Sequence, residues 1–207
     1  MAYREELLLR MYDQLFNDIN RHIMVVWQSV GVLVGAFAIF ALVEKNIISN
    51  DIASSIIMLL CSWLIAHLFD AAYWYNRNLV MIANIERQFL VKADLKEIHY
   101  YFGAHRPNNK MIEHLRLQLA LGVGLGFIVL AYHFYERVVP GFNSSLENFD
   151  PVRATPYVVV IFSCVYLYKL KGKLKAKYQE FIINSPGKVV DASEVSFGVG
   201  HGHEPKV

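Results

Sequence analysis

The stretch Ile52 to Tyr75, IASSIIMLLCSWLIAHLFDAAYWY, decides the fold class. As a helix its 24 residues cover about 36 Å, more than the roughly 30 Å of a bilayer's hydrocarbon core. A segment in lipid must satisfy its own backbone hydrogen bonds, which an α-helix does. Two ionisable residues, His67 and Asp70, interrupt the apolar run, and Tyr73, Trp74 and Tyr75 close it in the manner of an interfacial aromatic belt.

The rest of the chain agrees with a membrane reading. It is 55% hydrophobic and only 18% charged, with a mean hydropathy of +0.31. Upstream, Ile23 to Val43 forms a first apolar run, with Trp27 at its entry and Gly31 and Gly35 spaced as GxxxG. Downstream, Leu117 to Tyr135 forms a third, and Thr155 to Leu170 a shorter fourth. The expected architecture is therefore all-α, with four transmembrane helices at about 23–43, 52–75, 117–135 and 155–170 within a single membrane domain, 1–184. Residues 185–207 lack periodicity and read as a disordered tail.

Helices continue beyond the apolar runs. Leu7, Met11, Leu15 and Ile19 recur every four residues and make 3–22 amphipathic. This helix either packs on other helices or lies in the headgroup plane, and its mixed-sign polar face disfavours the second. Residues 76–102 keep Ile82, Ile85, Phe89 and Leu95 in helical phase until Gly103 and Pro107 break it. Residues 171–184 extend the fourth run. Asn109 is expected to cap the third span and Thr155-Pro156 to open the fourth. The loop 136–154 is rich in turn formers.

Charge sets the expected orientation. Lysine and arginine number three in 1–22, one in the first loop, seven in 76–116, two in the third loop and seven from Lys169 onward. The positive-inside rule places both termini and the central segment in the cytoplasm, in an inner membrane. The N-terminus has no signal-peptide pattern, so the first span is expected to direct insertion.

Candidate functional residues follow from polarity in apolar surroundings. His67 and Asp70 share a helix face, and Gln28 lies in the first span. Inside a membrane such residues mark a pore or water-filled cleft, or they form a packing pair in which Asp70 bonds His67, Gln28, a tyrosine or Arg77. Gly31, Gly35, Gly122 and Gly126 suit close helix packing and self-association, or reflect the abundance of glycine in membrane helices. Gly122, Gly124 and Gly126 do not form a dinucleotide loop, because Phe127 replaces the last glycine and no strand precedes them. Lys169, Lys171, Lys173, Lys175 and Lys177 either contact anionic lipid or only fix topology. His133, beside Glu136 and Arg137, reads as an interfacial histidine next to Tyr132 and Tyr135. Cys61 and Cys164 read as packing residues.

Several classes find no support. The His201-x-His203 pair is a weak metal signal without further ligands, and His99, His105 and His114 lack metal-ligand spacing, so no metal or other cofactor is expected. No nucleophile elbow, zincin, phosphate-loop or paired-cysteine motif is present, so no catalytic residue and no enzyme activity is expected. The lysines lack interleaved aromatics, so nucleic acid is not an expected partner.

From residue 5 to about 105 the layout is an amphipathic helix, two closely spaced spans and a long cytoplasmic helix. This architecture resembles the SLATT-type small membrane effectors of bacterial antiphage systems, and the two further spans depart from their two-span pattern. The resemblance implies an oligomeric protein that perturbs the envelope when a cytoplasmic partner activates it. The expected function is an oligomeric, pore- or channel-like membrane protein gated through its cytoplasmic helices. The alternatives are a membrane anchor that recruits a cytoplasmic protein and a small proton-coupled transporter.

Overall fold

A computed structural model describes residues 2–90, 108–143 and 150–185. The fold is all-α, with no strand among the described residues. Four helices carry it: α1 (Ala2–Glu44), α2 (Asn50–Phe89), α3 (Glu113–His133) and α4 (Thr155–Asn184). Three helical stretches, Asn50–Phe89, Glu113–Phe142 and Pro151–Asn184, are long and apolar enough to cross a membrane. The apolar part of α1 counts as a shorter helix, Val30–Glu44.

Local chemistry explains the boundaries. α1 ends in a Schellman motif: Ile47 N–H donates to the Leu42 carbonyl at 3.0 Å and Asn46 N–H to that of Val43 at 2.9 Å. Asn46 takes φ 55°, a conformation asparagine tolerates better than most residues. Asn109 does not cap α3; the residue before the helix is Ile112, which has no side-chain cap. Asn109 instead accepts a hydrogen bond from Asn76 at 3.0 Å. Nor does Thr155 open a helix as a cap. Its backbone is already helical, and its hydroxyl donates back to the Val152 carbonyl at 2.8 Å. The cap lies earlier, where the Asp150 carboxylate accepts from Val152 N–H at 3.0 Å and Pro151 follows.

The loop expected at 136–154 is largely helical where described. A π-helical turn, Phe134–Val138, and a 3₁₀ turn, Val139–Asn143, continue α3, and a second 3₁₀ turn, Pro151–Ala154, leads into α4. α2 ends at Phe89, so the part of 76–102 beyond residue 90 lies outside the described residues, as does the tail after Ser185.

The chain forms two compact units. Unit 1 comprises residues 1–22, 72–110 and 174–207; unit 2 comprises 23–71 and 111–173. The core of unit 1 holds Leu15, Ile19, Leu79, Ile82, Ile85, Leu174 and Tyr178, all buried. The first turns of its amphipathic stripe, at Leu7 and Met11, remain exposed. Unit 2 packs Ala36, Ile57, Met58, Cys61 and Val129 together, with Ile39, Phe40, Leu125 and Val160 around them. Burying apolar surface from water contributes about 25 cal/mol per Å²; between helices that face lipid this drive is absent and close fit carries more weight. Gly122 supplies such fit: a Cβ at this position would sit 3.2 Å from Leu64 Cδ2.

Candidate functional site

Unit 2 contains two polar sites of opposite character, one buried and hydrogen-bonded, the other open and without a hydrogen bond or ion pair on its carboxylate among the described residues.

The buried site joins three chain segments through Asp51, in the first turn of α2. Its side chain is 2% exposed, and His133, the last residue of α3, is fully buried. His133 Nε2 lies 2.9 Å from Asp51 Oδ1. Arg137, in the π-helical turn, donates from Nε to Oδ1 at 3.1 Å and from Nη2 to Oδ2 at 2.8 Å. This two-point geometry is the strong form of the Arg–carboxylate pair. On the far side of the ring, His133 Nδ1 lies 3.1 Å from the Tyr157 hydroxyl of α4. Ser55 and Thr155 add a hydroxyl pair at 3.0 Å between α2 and α4. Arg153 Nη1 donates to the Arg137 carbonyl at 3.3 Å, and Asp150 lies 3.8 Å from Arg137.

From sequence, His133 reads as an interfacial histidine beside Tyr132 and Tyr135, without a partner in another helix. Instead it is buried between Asp51 and Tyr157, because α3 turns its C-terminal face toward α2. Both ring nitrogens are engaged, which leaves none for a substrate or a metal. The arrangement is a clamp on the ends of α2, α3 and α4. The periodicity of α2 held a sign of it: Asp51 heads the same face as the buried Ser54, Met58 and Cys61.

The open site lies toward the other end of the apolar run of α2, about 28 Å along the helix axis from Asp51. Asp70 and His67 are both exposed. Asp70 makes no hydrogen bond or ion pair among the described residues, with His67, a tyrosine or Arg77. His67 packs its ring on Trp63, centroids 4.3 Å apart. The side chain of Gln28 lies outside the described residues. Ile52, Ile56, Leu59 and Trp63 are exposed on the same face. An apolar groove of about 610 Å³ runs beside this stripe, lined by Gly31, Val32, Gly35, Leu59, Leu60 and Trp63.

The glycines divide between these roles. Gly122 and Gly126 face Leu64, Ile65 and Met58 of α2 in the same chain, so they are not free to form a self-association face. A Cβ at Gly31 or Gly35 would meet nothing within 4 Å. The five lysines from 169 to 177 are all exposed. Cys61 is buried, as a packing residue should be, whereas Cys164 is exposed. Among the described residues no group of three histidine, cysteine or acidic side chains could hold a metal. His99, His105, His201 and His203 lie outside the described residues.

Unit 1 holds a part-buried titratable pair. Tyr12 of α1 donates to Glu86 Oε1 at 3.2 Å, while Glu86 Oε2 is buried without a partner. Glu86 lies eleven residues past the apolar run that ends at Tyr75. Burial pushes its carboxyl up to about 7, against the lowering effect of the Tyr12 hydrogen bond. Burial and the neighbouring Glu86 raise Tyr12 in turn.

Compared with known protein families, characterised proteins and solved structures, the chain matches none.

Proposed function

We propose that the protein is a non-enzymatic, self-associating inner-membrane protein with four spans and both termini cytoplasmic. It forms a pore- or channel-like assembly, gated through the helical segments that continue beyond its spans. The first span in this reading is the apolar part of α1, beside the three longer candidates.

One observation carries the reading: Asp70 is exposed at the end of an apolar helical face and makes no hydrogen bond or ion pair among the described residues. Exposed leucine and isoleucine need no explanation in a membrane protein, because lipid covers them. A carboxylate is different, and on a helix in lipid it favours a water-lined path or a second polar surface. The Gly31–Gly35 groove supplies a face on which another helix backbone approaches closely. Copies associated there would place His67 and Asp70 at the mouth of a shared path. The envelope-perturbing role implied by the architectural resemblance belongs to the same proposal.

Reconstitution into liposomes tests it. The expected result is an oligomer that passes ions, with flux altered by Asp70→Asn and by His67→Ala. A strictly monomeric protein without flux would overturn it. An anchor for a cytoplasmic protein predicts the reverse pattern, in which those two substitutions are silent and deletion of 1–20 or 172–184 abolishes function.

A further inference from the structure

Unit 1 gathers cations onto aromatic rings. The Arg77 guanidinium carbon lies 5.0 Å from the centroid of Trp74 and 5.5 Å from that of Phe181. Lys177 Nζ lies 4.8 Å from the centroid of Tyr73 and 5.7 Å from that of Trp74. The His22 ring is stacked with Trp74 at 6.4 Å and an interplanar angle of 9°. The platform is fixed from behind, since Tyr73 is buried and meets the buried Tyr178 edge to face at 6.3 Å.

Neither Arg77 nor Lys177 makes a hydrogen bond or ion pair among the described residues. A ring face attracts a cation without using its N–H groups, so the guanidinium fork and the ammonium donors remain available. Two held positive charges with free donors match a phosphate, and arginine matches it with two bonds at once.

The same residues stand where apolar sequence ends. His22 directly precedes the run 23–43, Trp74 is in the last turn of 52–75, and Lys177 follows the run ending at 170. Tryptophan at such a boundary sits at headgroup level. We propose that Trp74, Arg77 and Lys177, with His22, form a binding site for the phosphate of an anionic lipid headgroup. Of the five lysines in the basic run, only Lys177 takes part. Lys171 rests on Phe69 in unit 2, at 5.9 Å. The site is independent of whether the protein conducts ions.

Tryptophan quenching in nanodiscs tests the site on the full chain. In a Trp27→Phe/Trp63→Phe background, Trp74 is the sole reporter. Brominated phosphatidylglycerol should quench it in preference to brominated phosphatidylcholine. Near a membrane each cation is worth about a fivefold preference, so Arg77→Gln and Lys177→Gln should each reduce it by about that factor. Lys169→Gln/Lys173→Gln should reduce it less than Arg77→Gln/Lys177→Gln, and Arg77→Lys should retain most of it. Added salt should erode it in the unaltered chain, a readout that needs no variant to fold. Equal quenching by the two lipids, or an unchanged preference in Arg77→Gln/Lys177→Gln, would overturn the site. Relief of quenching by glycerol phosphate would assign a soluble phosphate ester and overturn the lipid.

Discussion

His133 Nε2 and Asp51 Oδ1 lie 2.9 Å apart across 82 positions of sequence, and both side chains are buried. With Arg137 on the same carboxylate and Tyr157 on the same ring, this pair ties the start of α2 to the end of α3 and the start of α4. A buried charge network of this kind resists removal of one member more than it resists replacement of the whole.

Asp51→Ala should therefore destabilise unit 2 by about 3 to 5 kcal/mol, since it leaves Arg137 without its carboxylate and His133 without its acceptor. Arg137→Lys should lie between Asp51→Ala and the unaltered chain, because one of two bonds survives. Thermal unfolding in detergent, followed by circular dichroism, reads both. Equal melting of Asp51→Ala and the unaltered protein would show that the clamp contributes nothing.

The glycines should respond in opposite ways. Gly122→Val forces bulk against Leu64 and should cost about 1 to 3 kcal/mol. Gly31→Val adds its side chain to open space and should leave unfolding within about 0.5 kcal/mol. If Gly31 also contacts a second copy, the same substitution should shift the oligomer distribution seen by native mass spectrometry.

Glu86 predicts a pH dependence in unit 1. Its folded carboxyl titrates at about 7, above its ordinary value of 4.5. The folded state thus binds more protons than the unfolded state between those values. The contribution is fully present below about pH 4.5 and is lost as pH rises through 7, by a total of about 3 kcal/mol. Hydrogen exchange of α2 amides around Glu86 should accelerate over that range beyond the intrinsic base dependence. Glu86→Gln should flatten the change; a slope that persists in this variant would assign it to another group.

Asn76 is fully buried and donates to the carbonyls of Ala72 and Lys110 and to Asn109 Oδ1. Asn76→Leu should cost about 1 to 3 kcal/mol through the acceptors left unpaired. Asn76→Asp should cost more at neutral pH, because an ionised carboxylate would face three acceptors with no donor of its own. Chemical unfolding at pH 5 and pH 8 separates the two, with the Asp variant recovering at the lower pH.

Helical periodicity and the length of the apolar runs made legible the all-α fold and the three helices long and apolar enough to cross a membrane. Leu15, Ile19, Ile82 and Ile85 fall in the core as their spacing implies. Polarity in apolar sequence drew attention to His67 and Asp70, but these stand on the outer face, and the satisfied buried site lay elsewhere. Asp51 was hidden because an acid in the first turn of a helix is ordinary on dipole grounds. Which arginine and which histidine it would meet depended on tertiary contact between segments far apart in the chain. Gly122 and Gly31 look alike in sequence, and only the neighbouring helix distinguishes a filled contact from an empty one.

The π-helical turn at Phe134–Val138 has a genetic meaning as well as a geometric one. A π-helical turn holds one residue more than an α-helical turn, so it shifts the phase of every side chain that follows it. Deleting one residue, such as Glu136, would restore regular winding while rotating Arg137 away from the direction in which it meets Asp51. The shorter chain would have better local backbone geometry and a weaker fold. At this point the protein is sensitive to chain length itself, a property that substitution scans do not sample.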